Sequence, residues 1–140
     1  LGGDSYDDPG VWEALGAKFG SDVYFVTHTW MQGTEGHPDM PEFVKLYTDY
    51  HGSAPDTAFV ATGWDTVMLF AQAAEIAGTT DGAAVAKALE DNTFNLLTGD
   101  LDYSNAADGH YPYKAAALVA LTKGEPSFLG WRNPENPPAP

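Results

Sequence analysis

The chain has 140 residues, seven Phe, seven Tyr, four Trp and no Cys, so it can bury one sizeable core but has no disulfide, thiolate nucleophile or Cys-based metal site. Twenty acidic residues against six basic ones give a net charge of −14, which offers no electrostatic footprint for nucleic acid or an anionic membrane. No apolar run reaches the ~18 residues that a membrane-spanning helix needs.

The chain opens on "LGGDSYDDPG", with no start Met. Gly-Gly-Asp reads as the end of a strand and Asp8-Pro9 as a helix start, so the sequence is expected to be a piece of a longer α/β chain. Residues 8–19 are predicted as a helix, capped by Asp8, with Pro9 in first position and Val11, Trp12 and Leu15 on one apolar face. The run "DVYFVTH" (22–28) is a buried strand, which makes a parallel βαβ unit with the strand ending at Gly3. A loop follows, then a helix opened by the capping box Asp39-x-x-Glu42, with Phe43, Val44, Tyr47 and Tyr50 on one face and Gly52 at its end.

The third helix, within "DTAFVATGWDTVMLFAQAAEIAG", is apolar around most of its circumference. Its polar residues Asp65, Gln72, Glu75 and Thr79 fall on one narrow stripe. Such a helix is expected to be buried on most sides, and a domain this small has few places to bury one. A fourth helix, 81–91, starts at Asp81 and packs through Val85, Ala88 and Leu89. "LLTGDLDYS" is predicted as one strand with Leu101 and Tyr103 on the same face, "NAADGHYP" as a turn, and "YKAAALVALTKGEPSFLGW" as a hairpin about Lys123-Gly124. The tail "NPENPPAP" is Pro-rich and expected to be loose.

Asp4 stands at the carboxyl end of a strand, where open α/β sheets bind ligands. An acid there can hold an ammonium group or a hydroxyl, or it can cap the next turn locally. His28 ends the next strand and is the only His in a ligand-facing place; His37, His51 and His110 sit near Pro, Gly or helix ends and are expected to be solvated. None of the four forms a zinc-binding pattern. "DYSNAADGH" (102–110) fails as a calcium loop, with Ala106 at a ligand position and Gly109 misplaced. Ser5, Ser21 and Ser104 lack a nucleophile-elbow context, and no phosphate loop is present. Phe59, Trp64 and Trp30 either line an apolar pocket or pack into the core, and Phe70 is expected in the core.

These pieces, in this order, resemble the C-terminal part of a type I periplasmic binding protein. The branched-chain amino acid substrate-binding components of ABC transporters are the most similar group. The resemblance rests on "GGDSYDDP", "VYFVTHTW", "PEFVKLYTDYHGSAPDTAFVATGWDTVMLFAQAAEIAGTTDGAAVAKALED" and "LLTGDLDYSNAADG". It implies an α/β fold, the C-terminal portion of a two-lobe architecture with a helix-flanked parallel sheet and a C-terminal β-hairpin. Residues 1–34 and 111–133 would belong to the C-terminal lobe. Residues 35–110 would complete the N-terminal lobe, and 134–140 would form the tail. It places Asp4 where the family holds the ligand's α-ammonium and Phe59 near the ligand's side chain. Ser5 is a weaker neighbour, and Trp64 joins the ligand-binding candidates. The family's carboxylate-gripping groups lie in the other lobe.

The implied function is non-enzymatic. An extracytoplasmic protein captures a branched-chain amino acid, or a similar amino-acid or amide ligand, for an ABC permease, without cofactor or metal. The alternatives are a ligand-sensing domain of a receptor or regulator, and a hydrolase-type enzyme using Asp4 and His28. As an isolated piece, the chain is expected to self-associate or exchange elements through its apolar third helix.

Overall fold

The β-branched run Val23–Thr27 forms strand β1 in a computed structural model that describes residues 1–18, 22–104, 112 and 114–133. Its antiparallel partner is β4 (Ala116–Thr122), and β4 pairs in turn with β5 (Glu125–Arg132), giving the order β1-β4-β5. The parallel neighbour expected before β1 is a single bridge. Gly2 N donates to the Tyr24 carbonyl at 2.7 Å, and Val26 N donates to the Gly2 carbonyl at 3.3 Å. The main ladder is therefore antiparallel.

The predicted hairpin turns at Lys123 and Gly124, with φ of 54° and 89°. Two successive residues at positive φ match the right-handed twist of the flanking strands. Helix α1 (Pro9–Lys18) lies against this turn, so closely that a Cβ on Gly16 would come within 2.5 Å of Gly124 N. Asp8 caps the helix, accepting from Val11 N at 3.0 Å. Trp12 and Leu15 then pack on Phe25, Val119 and Leu121, which form the core of this sheet.

Helix α2 (Met40–His51) buries Met40 and Phe43 and ends at Gly52 as predicted. Its capping box does not form. Asp39 has helical backbone angles (φ −85°, ψ −1°) and no side-chain cap bond, and its own N–H is taken by His37 Nδ1 at 3.2 Å. Tyr50, expected on the buried face, is exposed.

Helix α3 (Ala58–Ala77) and helix α4 (Gly82–Asp91) pack together over a second small sheet. Asp81 caps α4 as predicted, accepting from Ala84 N at 3.1 Å. The segment predicted as one strand is a hairpin of β2 (Thr93–Leu96) and β3 (Gly99–Asp102), turning through Leu97-Thr98. Phe94, Leu96 and Leu101 meet Ala73, Val85 and Ala88 in its core, with Tyr103 and Leu89 at the edge.

The orientation of α3 reverses part of the expectation. Asp65 is only 4% exposed, while Val67, Phe70 and Ile76 are 67%, 57% and 56% exposed. The inward side carries Ala58, Ala61 and Ala73, small enough for neighbouring elements to approach closely. Val67 and Phe70 point away, while Met68 and Leu69 pack against the core, so Phe70 is not a core residue among the described residues. No helix among the described residues is long and apolar enough to cross a membrane. The turn 105–112, apart from residue 112, His110, Ser21 and the tail 134–140 lie outside the described residues.

Candidate functional site

Three chain segments converge beyond the end of β1. The first is the single 3-10 turn Asp4–Tyr6, closed by Asp7 N donating to the Asp4 carbonyl at 2.9 Å. Asp4 does not cap this turn with its side chain. Its Oδ2 lies instead 3.1 Å from His28 Nε2, just past β1. The His28 ring meets Phe59, in the first turn of α3, edge to face, with centroids 5.7 Å apart at 65°. All three side chains keep substantial exposure. The result is an open ledge of carboxylate, imidazole and aromatic ring. With Oδ2 on the imidazole, Oδ1 can take a charge-assisted hydrogen bond from an ammonium group, and Phe59 offers an apolar surface beside it. Ser5 is exposed on the same turn.

Trp64 is placed elsewhere. It tilts against Phe43 at 5.5 Å and lines a separate cavity of about 280 Å³ with His37, Asp39 and Asn95. His37 there is not solvated as expected: its Nε2 lies 3.0 Å from Asn95 Oδ1, and its side chain is only 14% exposed. Trp30 stacks on Phe128 at 5.8 Å. Among the described residues, no group of three or more His, Asp or Glu could hold a metal ion.

Asp7, beneath the ledge, escaped the sequence reading. It is 6% exposed, and its Oδ2 accepts both from Thr27 Oγ1 at 2.7 Å and from Ala58 N at 2.8 Å. The signal was present in "DSYDD": Asp8 serves as the local cap, which leaves Asp7 to find partners far along the chain. Burial pushes its carboxyl above the ordinary value of 3.8, against the opposing pull of Thr27, Ala58 and His28. The sign follows: the folded state holds this proton more tightly than the unfolded state, so the contribution is fully present below 3.8 and is lost as pH rises through the raised folded value. Asp7→Asn is expected to remove that loss. In thermal melts at several pH values, the variant should gain on the parent as pH rises above 3.8; a constant difference would contradict the burial effect.

Residues 1–126 match the model of the periplasmic binding protein family, and the chain belongs to that family. Its place within it is the type I, branched-chain amino acid group. The Leu/Ile/Val-binding protein homologs 1 of Brucella suis and Brucella melitensis are each 34% identical to it over 99 residues, 70% of this chain and 26% of theirs. The leucine-binding protein LivK of Thermotoga maritima superposes with a TM-score of 0.74 at 25% identity, over 95% of this chain and 37% of LivK. An amino acid ABC transporter substrate-binding protein from Pseudomonas fluorescens shares the fold with a TM-score of 0.71 at 22% identity, over 93% of this chain and 36% of that one. The chain thus spans about a quarter of the length of the curated relatives it matches and just over a third of the solved structures.

Proposed function

We propose that this chain is part of an extracytoplasmic solute-binding protein that captures a branched-chain amino acid, or a similar small amino-acid or amide ligand, for the permease of an ABC importer. The observation that carries the reading is the juxtaposition of Asp4, His28 and Phe59. A carboxylate for an ammonium group stands beside an aromatic ring for an apolar side chain. In this reading, residues 1–34 and 111–133 belong to one lobe and 35–110 complete the other. The two sheets with separate cores support that division. A ligand held on the ledge would be covered when the lobes close about their hinge.

Binding rather than catalysis is supported by the matched relatives, which are named as binding proteins. The hydrolase alternative would use the Asp4–His28 pair itself and needs a nucleophile on the ring's other nitrogen, Nδ1. The test uses the two-lobed protein carrying this chain, titrated with L-leucine in a calorimeter. Asp4→Asn should weaken binding by about 1.5–3 kcal/mol, the range for a hydrogen bond to a charged group. Unchanged affinity would remove Asp4 from the site.

The isolated chain is a different object. The α3 face of Val67 and Phe70 is uncovered among the described residues, and apolar patches beyond a few hundred Å² are rare on soluble monomers. A second copy is the occupant we assign in solution. Light scattering across dilution should show a dimer that dissociates, and Phe70→Glu should scatter as a monomer throughout. A wild-type chain that is monomeric at every concentration would sink this assignment.

A further inference from the structure

We propose that Asp7 is the positioning residue of the ligand ledge: its one oxygen Oδ2 ties together the three segments that carry Asp4, His28 and Phe59. The inference rests on the site reading above for its functional meaning, but the geometry stands alone. Asp7 is three residues after Asp4. Its first partner, Thr27, immediately precedes His28, and its second, Ala58, immediately precedes Phe59. All three groups of this junction are buried, whereas the ledge residues are exposed. Exposed side chains cannot hold one another against thermal motion, so the buried bonds beneath them set the spacing. A site works only when its groups stand within about 0.5 Å of their productive places, held by a supporting layer of this kind.

The second bond also fixes α3. Ala58 is the first residue of that helix, so its N–H has no acceptor within the helix. Thr57 Oγ1 takes the next N–H, that of Phe59, at 3.2 Å. Asp7 and Thr57 between them satisfy the first two donors and set the direction in which the helix, and Phe59 with it, leaves the junction. A carboxylate there is also favoured by the helix dipole.

The chemistry selects the variants. Because both bonds end on the same oxygen, Asp7→Asn can place its amide oxygen there and keep both. Asp7→Ala keeps neither. Ala58→Pro removes the helix donor, at the first helical position, where proline is accommodated, and its ring displaces the Asp7 carboxylate from that place. The preceding Thr57 is already extended (φ −137°, ψ 155°), as a residue before proline must be.

The experiment is NMR on the chain itself, without ligand. It reads the cross-relaxation peaks between the His28 and Phe59 rings, with the Phe94–Leu101 peaks across β2 and β3 and the Phe25–Val119 peaks across β1 and β4 as the controls for folding of each half. The His28–Phe59 peaks should disappear in Asp7→Ala and Ala58→Pro, remain in Asp7→Asn, and leave the control peaks in place. If Asp7→Ala does not fold, Ala58→Pro decides. Persistence of the His28–Phe59 peaks in Ala58→Pro, or their loss in Asp7→Asn, overturns the proposal. Failure of the ligand reading is a separate result: Asp4→Asn binding leucine like the parent would leave these peaks untouched.

Discussion

Asp65→Ala is expected to lower the stability of the chain by roughly 2–6 kcal/mol, because it orphans two buried N–H groups at about 1–3 kcal/mol each. Asp65 Oδ1 accepts from Leu97 N at 3.0 Å and Oδ2 from Thr98 N at 2.8 Å, so one buried side chain holds the turn between β2 and β3 against α3. Such a loss is a large part of a domain's usual margin of about 5–15 kcal/mol. Asp65→Asn should recover little. Its two donors sit on separate oxygens, and an amide must set its NH2 against one of them. This contrasts with Asp7, where a single oxygen serves both partners.

The pH dependence is a second signature of the same substitution. Burial pulls Lys114 down to about 8 from 10.5, and the nearby Asp65 carboxylate opposes that pull. A depressed lysine costs stability while it is charged in the fold, and the cost fades as pH rises from about 8 to 10.5. Without Asp65 the lysine is depressed further and the cost below about 8 is greater, so the deficit of Asp65→Ala should narrow as pH rises to about 8 and stay constant above it. Urea denaturation at pH 7 and pH 10 measures both effects. A variant as stable as the parent at pH 7 would mean that the two N–H bonds do not hold the turn.

The same residue shows where the sequence was legible. Periodicity placed Asp65, Gln72, Glu75 and Thr79 on one side of a helix, correctly as spacing. It could not say which side faces inward, because the helix is apolar nearly all round. Local chemistry was read well: Asp8 and Asp81 cap their helices, and Lys123-Gly124 turns the hairpin. Features decided by distant partners were not. The capping box at Asp39 yields to His37, and "TFNLLTGDLD" becomes two strands only because Asp65, thirty-odd residues earlier, holds the turn between them. The ledge follows the same division. Asp4, His28 and Phe59 were each singled out by position along the chain. Asp7, whose partners lie 20 and 51 residues away, was not. Closeness in sequence groups Trp64 with Phe59, yet Trp64 faces Phe43 and another cavity.

Phe94→Ala should cost about 3–5 kcal/mol, the range for truncating a fully buried phenylalanine. Phe94 is 1% exposed, at the centre of the cluster formed by Ala73, Val85, Ala88, Leu96 and Leu101. None of these residues belongs to the cluster of Phe25, Val119 and Leu121 beneath the other sheet. The two halves meet through polar bonds, including Asp7 to Ala58, Thr29 Oγ1 to the Leu97 carbonyl at 3.3 Å, and Trp131 Nε1 to the Glu35 carbonyl at 3.0 Å, and through small apolar contacts, His28 on Phe59 and Met31 on the cluster of Met40 and Phe43. Bonds of this kind contribute about 0.5–1.5 kcal/mol each, less than the apolar core they join. The damage should therefore stay on one side. By hydrogen exchange, amides of α3, α4, β2 and β3 should lose protection in Phe94→Ala while those of β1, β4 and β5 keep theirs, and Phe25→Ala should give the reverse. The proposed division of the chain between two lobes requires this independence, since each lobe folds about its own core. Equal loss of protection on both sides, in both variants, would make the chain one cooperative unit and remove that division.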